Sequence, residues 1–360
     1  MSTTSAARFA AADAHRGEAI FHGEGAAEPP TMAPDGIRML AGTAGRSDTI
    51  LGHLCKGPAD PTHRRVGPQH WFRATGTPQG PALVECFDEG TGSCVRVWGP
   101  GTQWALEQAP ELLGEHDDPA GFAELVQDCE LLRRANHERP NMRIGATGNL
   151  AEALVPAVIE QKVTGPEAFG ALRTLWRRWG EIAPGPAALE GHPAHGLVVP
   201  PDARTWAQLP SFEFTRAGVD ARRAAALRRA MGRVASLERA LGSAADGRER
   251  SRLLQSLPGI GPWTAAKVLQ WAHGDPDAWS TGDFHAPKLI SWALCGRRLD
   301  NSGAEELLRP YAGHRFRVEL LVIPLVAHGA RRGPRKALPR HVPGVGIRSA
   351  GRGRPSREWR

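Results

Sequence analysis

Apolar residues recur at two spacings along this chain, and the change from one to the other divides it. Between about 37 and 122 the runs are short and β-rich. HWFRATGTP, PALVECFDE and CVRVWGPG are each broken by Gly and Pro at the spacing of strand turns. In the second run Ala82, Val84 and Cys86 alternate with Leu83, Glu85 and Phe87, which predicts a strand with one apolar and one mixed face. At 102–113 the period becomes helical. From about Gly121 onward helical spacing dominates, most clearly at 167–179, 221–241 and 304–328. The stretch 149–162 places Leu150, Leu154, Ala157, Val158 and Gln161 on one helical face. The Arg- and Ala-rich stretch 221–241 reads as a charged solvent face over a narrow apolar seam. Residues 183–201, rich in Gly and Pro, are expected to form a loop. No internal repeat stands out. The pattern predicts an α+β chain: a disordered lead at 1–36, a small antiparallel sheet domain with a helix at 37–122, an all-α domain at 123–330 and a disordered basic tail at 331–360.

The most specific signal lies at 250–290. A short amphipathic helix at 250–256 carries Leu253 and Leu254, with Leu257 a turn later, and Pro258 stops it. Gly259 and Gly261 permit the positive backbone angles of a tight turn, and Pro262 suits the first position of a new helix. Ala265, Val268, Leu269 and Ala272 give that helix a buried face. The glycines leave no side chain between the backbone N–H groups and an incoming phosphate, so this helix start is an anion site in waiting. The ordinary alternative is a corner between two core helices.

The whole string LPGIGPWTA resembles the helix-hairpin-helix motif of the DNA glycosylase superfamily. Asp283, in STGDFHAP, stands where that superfamily carries its catalytic Asp, and with Phe284 beside it the likeness is closest to the 3-methyladenine DNA glycosylase II group. The sheet-then-helices order agrees. The resemblance implies that Leu257, Gly259, Ile260, Gly261 and Thr264 grip a duplex DNA backbone without reading sequence. It implies that Asp283 supports the sugar cation as an N-glycosidic bond breaks and assists water attack. By residue type alone, Asp283 is equally suited to cap a helix at 287–295. Bifunctional members carry a Lys two residues after the second Gly. Here Trp263 occupies that place, so hydrolysis without strand cleavage is expected. Trp263 is read either as an aromatic wall of the base pocket, with Phe284, or as core packing.

A flipped base leaves a gap that some side chain must fill. EQKVTG resembles the superfamily helix end where a Gln precedes the DNA wedge, which brings in Gln161 and Lys162. The closest group carries an apolar wedge, so Lys162 departs from the pattern; it either fills the gap or contacts phosphate, with Gln161 or Val163 as the other candidates for the gap. The resemblance further implies a K⁺ or Na⁺ ion on the backbone carbonyls of Gln255, Leu257 and Ile260. No other cofactor is required. An iron–sulfur cluster is not expected, because Cys55, Cys86, Cys94, Cys129 and Cys295 are scattered and only Cys295 lies near the C-terminus.

Charge sharpens this in one respect. The 360 residues carry a net +7, yet residues 331–360 hold ten Arg or Lys against Glu358, leaving about −2 for the rest. Any basic face of the body is therefore local. The tail offers either salt-sensitive affinity for nucleic acid or a solvated segment without a partner. No apolar run reaches membrane-spanning length. A cytoplasmic, nucleoid-associated monomer acting on alkylated bases is expected. The rival readings are a glycosylase for oxidised or deaminated bases and a non-catalytic helix-hairpin-helix DNA-binding protein.

Overall fold

A computed structural model of the protein describes residues 30–327. Residues 1–29 of the expected lead and all of the expected tail lie outside the described residues. Strands β1 (Gly36–Leu40), β2 (His63–Gly67), β3 (His70–Thr77), β4 (Gly80–Glu89) and β5 (Gly92–Trp98) form one antiparallel sheet in the order β1-β5-β4-β3-β2. Helices α1 (Ser47–Leu54) and α2 (Thr102–Leu112) cover one face, where Ala82, Val84 and Cys86 pack with Leu51, Val95, Val97 and Ala109. The mixed face of β4 is covered too. Leu83 packs there with Phe72, Trp98, Ala187 and Leu197, while Glu85 takes hydrogen bonds from His70 and Arg96.

The cover for that second face is the stretch expected to be a loop. It contains β6 (Glu181–Ile182) and β7 (Val198–Val199), an antiparallel pair, with a 3₁₀ turn between them. Its backbone is anchored by Ala183 N–H to Leu197 O (2.9 Å) and Val198 N–H to Pro61 O (2.8 Å). A Pro- and Gly-rich sequence here follows a sheet surface, and the surface supplies the burial that the local pattern does not reveal.

The helical body comprises α3 (Phe122–Leu125), α4 (Glu130–Glu138), α5 (Leu150–Ile159), α6 (Gly165–Trp179), α7 (Ala203–Gln208), α8 (Ser211–Arg216), α9 (Ala221–Met231), α10 (Val234–Ser243), α11 (Gly247–Gln255), α12 (Pro262–Ala272), α13 (Ala286–Cys295), α14 (Asn301–Leu308) and α15 (Arg315–Ala327). Two stretches read as single helices are pairs. Gly232 and Arg233 separate α9 from α10, and residues 309–314 separate α14 from α15.

At the centre lies α5, whose residues Ala153, Leu154, Val155, Ala157, Val158 and Ile159 are all buried; it packs against α12, α9 and α6. A second core joins α3 and α4 to α13, α14 and α15 through Phe122, Leu132, Ile290, Leu308 and Leu321. The sheet is locked to the start of α5 by Glu152, which accepts from Arg73 (2.6 Å), Thr75 Oγ1 (2.6 Å) and Gly76 N–H (3.1 Å). Buried Arg317 meets buried Asp117 at 2.5 Å and ties α15 to the 113–121 turn. No helix among the described residues is long and apolar enough to cross a membrane.

Candidate active site and nucleic-acid interface

The segment joining α11 to α12 is a hairpin anchored from within. Leu254, Leu257 and Ile260 are buried, and Ile260 N–H donates to Leu257 O at 3.0 Å. Leu257 and Ile260 therefore offer only backbone to a partner. Gly259 sits at φ +97°, and a Cβ there would meet Ala226 Cβ of α9 at 2.6 Å, so both conformation and space demand glycine. Gly261 is different. Its φ of −97° and ψ of −179° are ordinary extended backbone, and nothing lies within 4 Å of a Cβ built there. The expectation of positive angles at both glycines holds for Gly259 alone, because the chain at Gly261 is already entering α12. Pro262 occupies the first turn of α12, and the N–H groups of that turn have no intrahelical acceptor.

Two side chains brace the hairpin from outside. Gln161 Nε2 donates to Gly259 O and to Thr264 Oγ1, both at 2.9 Å. Arg229 reaches Pro258 O at 3.3 Å, and Arg223, mostly buried in α9, donates to Ile159 O at the end of α5 (2.5 Å). The stretch read as a solvent face thus supplies two arginines that hold the α5 end and the turn. Lys162 follows Gln161, exposed, in the left-handed region at φ +55°. The fold thereby brings Gln161, Lys162, Gly259, Ile260 and Thr264 to one place.

Asp283 lies in the 279–285 loop before α13. Its Oδ1 accepts from the N–H of His285 (2.7 Å) and Ala286 (2.8 Å), and its Oδ2 accepts from Trp263 Nε1 (2.9 Å). It caps α13 and touches α12 at once. A carboxylate offers about four acceptor positions, so three donors leave one for a ligand. The loop is held from beneath: Glu319 accepts from Ser280 N–H (2.8 Å) and Oγ (2.6 Å), and Gln270 Nε2 donates to Ala278 O (2.6 Å). Phe284 is 68% exposed, under the Lys288 ammonium (3.9 Å to the ring centre) and edge-on to His285. It does not pack with Trp263.

Trp263, Lys267 and Trp271 stand at successive turns of α12, each partly buried, so they share a face. Lys267 Nζ lies 3.1 Å from Gln270 Oε1 and 3.7 Å from Glu319 Oε1. Trp271 stacks on His53 at the end of α1 (5.7 Å, 25°) and meets Phe316 of α15 edge-on. The His53 imidazole is held below its usual pKa by burial first; its contact with Thr49 O opposes this, and the charges of Lys267, Lys56 and Arg139 reinforce it. Trp263 thus holds Asp283 at one end of this face of α12 and Trp271 holds His53 at the other, with Lys267 between them. His53, Lys267 and Trp271 were not legible as site residues, although the Trp–Lys–Trp spacing of four was there to read.

A separate cavity of about 410 Å³ lies at the far end of α12, bordered by Glu111, His116, Glu238, Arg250 and His273, and holds none of the candidate site residues.

A sheet domain, a helical body and a hairpin facing a loop carboxylate together define the fold of the helix-hairpin-helix DNA glycosylases, as the sequence resemblance implied. The chain resembles the 3-methyladenine DNA glycosylase from Archaeoglobus fulgidus at a TM-score of 0.64 and 18% identity, over 82% of this chain and 99% of that one. It also resembles the 8-oxoguanine glycosylase/lyase of Clostridium acetobutylicum bound to duplex DNA with cytosine opposite 8-oxoG (TM-score 0.60, 12% identity, 83% and 99% covered). In sequence, 180 residues are 26% identical to a probable bifunctional transcriptional activator/DNA repair enzyme AlkA of Mycobacterium tuberculosis, covering 50% of this chain. The match spans only 34% of that relative's length. No family model matches the chain.

Proposed function

We propose that this protein is a monofunctional DNA glycosylase of base excision repair, hydrolysing the N-glycosidic bond of a base flipped out of duplex DNA. The observation that carries the reading is Asp283, held by three N–H donors, one of them from Trp263 in the place where a lyase would hold its amine; the base-binding cleft of this reading lies along the α12 face from Asp283 past Lys267. A DNA phosphate docks on the first-turn N–H groups of α12, beside the open side of Gly261. Exposed beside Gln161 at the hairpin, Lys162 serves in this reading as wedge or phosphate contact. The carbonyls of Gln255, Leu257 and Ile260 are the proposed ligands of a monovalent cation; that of Leu257 keeps one lone pair beyond the Ile260 bond.

With the base in the cleft, the remaining acceptor position of Asp283 faces the sugar. Its charge stabilises the cation that forms at C1′, and its oxygen orients the attacking water. No amine stands at Trp263 to form an imine, so the strand stays intact. The leaving bases we propose are alkylated purines of the 3-methyladenine and 7-methylguanine type, whose positive charge makes the bond labile, with Trp263 offering a π surface. A second reading, excision of oxidised or deaminated bases, is favoured by the ammonium of Lys267 in the same cleft.

The test is release of 3-methyladenine and 7-methylguanine from alkylated duplex DNA, beside Asp283→Asn, followed by an alkali-free gel. Free base with intact strands, and a loss of about 10²- to 10³-fold in the variant, are expected. Nicked strands sink the monofunctional reading. Equal release by the variant removes Asp283 from the mechanism, and DNA binding with release of no base of any class leaves a binding protein.

A further inference from the structure

We infer that Lys267 selects the leaving base: it favours neutral purines with a carbonyl edge, such as hypoxanthine or 8-oxoguanine, over cationic N-alkylpurines. This rests on the glycosylase reading of the same cleft and takes up its second substrate class, oxidised or deaminated bases, in place of alkylated purines as the preferred leaving bases. The indole of Trp263, one turn before Lys267, offers flat apolar surface that suits any base, whereas that of Trp271, one turn after, is already stacked on His53. The group between them is the one that distinguishes bases by charge.

Lys267 is well fixed for this role. Glu319 is 5% exposed and is occupied by both donors of Ser280, whereas the Lys267 side chain keeps 22% of its surface. A base entering from solvent therefore meets the ammonium before the carboxylate that balances it. Of the three N–H donors on Nζ, Gln270 Oε1 at 3.1 Å takes one. The Glu319 oxygen at 3.7 Å lies beyond hydrogen-bond length. Donors remain for a carbonyl oxygen or ring nitrogen on an incoming base.

The chemistry asks for such a donor. A cationic alkylpurine leaves as a neutral molecule and needs little help. A neutral purine departs with the electron pair of the broken C1′–N9 bond and carries the developing negative charge itself. Lys267 stabilises that charge through its hydrogen bond and passes a proton to the departing base. Water forms the new C1′–O bond, its proton goes to Asp283, and from there through solvent the amine is recharged. Atoms and charge balance with water as the only co-reactant.

The experiment measures single-turnover release from duplexes containing hypoxanthine, 8-oxoguanine or 7-methylguanine, with wild type, Lys267→Met and Lys267→Arg. The quantity read is the ratio of neutral to cationic base release within one preparation, which does not depend on the folded fraction. We expect wild type to release at least one neutral purine, and the two neutral arms to show which one. Lys267→Met should lower that ratio by about 10- to 100-fold, the worth of one charge-assisted hydrogen bond, and Lys267→Arg should restore part of it. The inference fails if wild type releases 7-methylguanine and neither neutral purine, or if Lys267→Met slows all three alike. Release of none by wild type overturns the glycosylase reading itself, and the inference falls with it.

Discussion

The two hairpin glycines should behave oppositely, and the difference separates folding from DNA binding. At Gly259 an alanine meets two penalties. The φ of +97° lies in the region that L-residues avoid, at a cost of about 1–2 kcal/mol. The new methyl stands 2.6 Å from Ala226 Cβ, and relieving that overlap costs about 1–3 kcal/mol more. Gly259→Ala should therefore destabilise the protein by about 2–5 kcal/mol, and Ala226→Gly in the same chain should return the steric part. At Gly261 the backbone is ordinary and the space open, so Gly261→Val should leave the melting temperature close to wild type. Its branched side chain instead stands where a phosphate must approach the α12 N–H groups. Losing one or two charge-assisted hydrogen bonds, about 1.5–3 kcal/mol each, weakens binding by about 10-fold or more. Thermal melts and fluorescence anisotropy with duplexes of several sequences check both halves. Wild-type affinity in Gly261→Val, or a loss confined to certain sequences, refutes the phosphate argument. An unchanged melt in Gly259→Ala refutes the packing one.

Three further outcomes follow from the same geometry. Trp263→Phe keeps an aromatic ring but deletes the N–H donor to Asp283; kcat should fall by about 10- to 100-fold with DNA affinity intact, in single-turnover assays beside anisotropy. His273 and His63 are both held at a pKa of about 4, each by burial first; Arg250 adds to this for His273, while Asp60 opposes it for His63. A folded-state pKa below the unfolded value near 6.5 means that the unfolded chain takes up protons first as pH drops. Stability should be full above about pH 6.5 and decline towards pH 4, by about 1–3 kcal/mol per histidine; melts flat from pH 7 to 5 would contradict this. Replacing K⁺ and Na⁺ with a large organic cation at fixed ionic strength should weaken DNA binding if the hairpin carbonyls hold an ion, and indifference removes that ion from the account.

The site was legible where chemistry and backbone conformation are local. The LPGIGP turn carries its own stop, its own helix start and one obligatory glycine, and Asp283 precedes a helix that it caps. What stayed hidden depends on residues far apart in sequence. Nothing in 181–199 announces that it covers a sheet, because its apolar residues follow a surface and no period. Arg223 and Arg229 fit a solvated helix face until the hairpin carbonyl and the end of α5 are placed beside them. Lys267 has no local signal beyond its place between two Trp at a spacing of four. Its meaning comes from Glu319, 52 residues later, and from His53, more than 200 residues earlier.

One helix links the two halves of the proposed chemistry. The first-turn N–H groups of α12 form the proposed phosphate seat, and Trp263, in that same turn, holds the Asp283 carboxylate by its indole N–H. The seat and the carboxylate are thus referred to a single rigid element, braced by Gln161 on one side and by the Gln270–Ser280–Glu319 network on the other. A catalytic group whose supports belong to the element that grips the substrate backbone keeps its position when the DNA bends. The overall charge is consistent with such an arrangement. Residues 1–330 carry about −2 in net charge and attract DNA weakly as a whole, so the proposed affinity rests on N–H groups and the cations at the hairpin, where Lys162 and Arg229 stand. In the proposed complex that concentration orients the duplex towards the end of α12 where Asp283 stands.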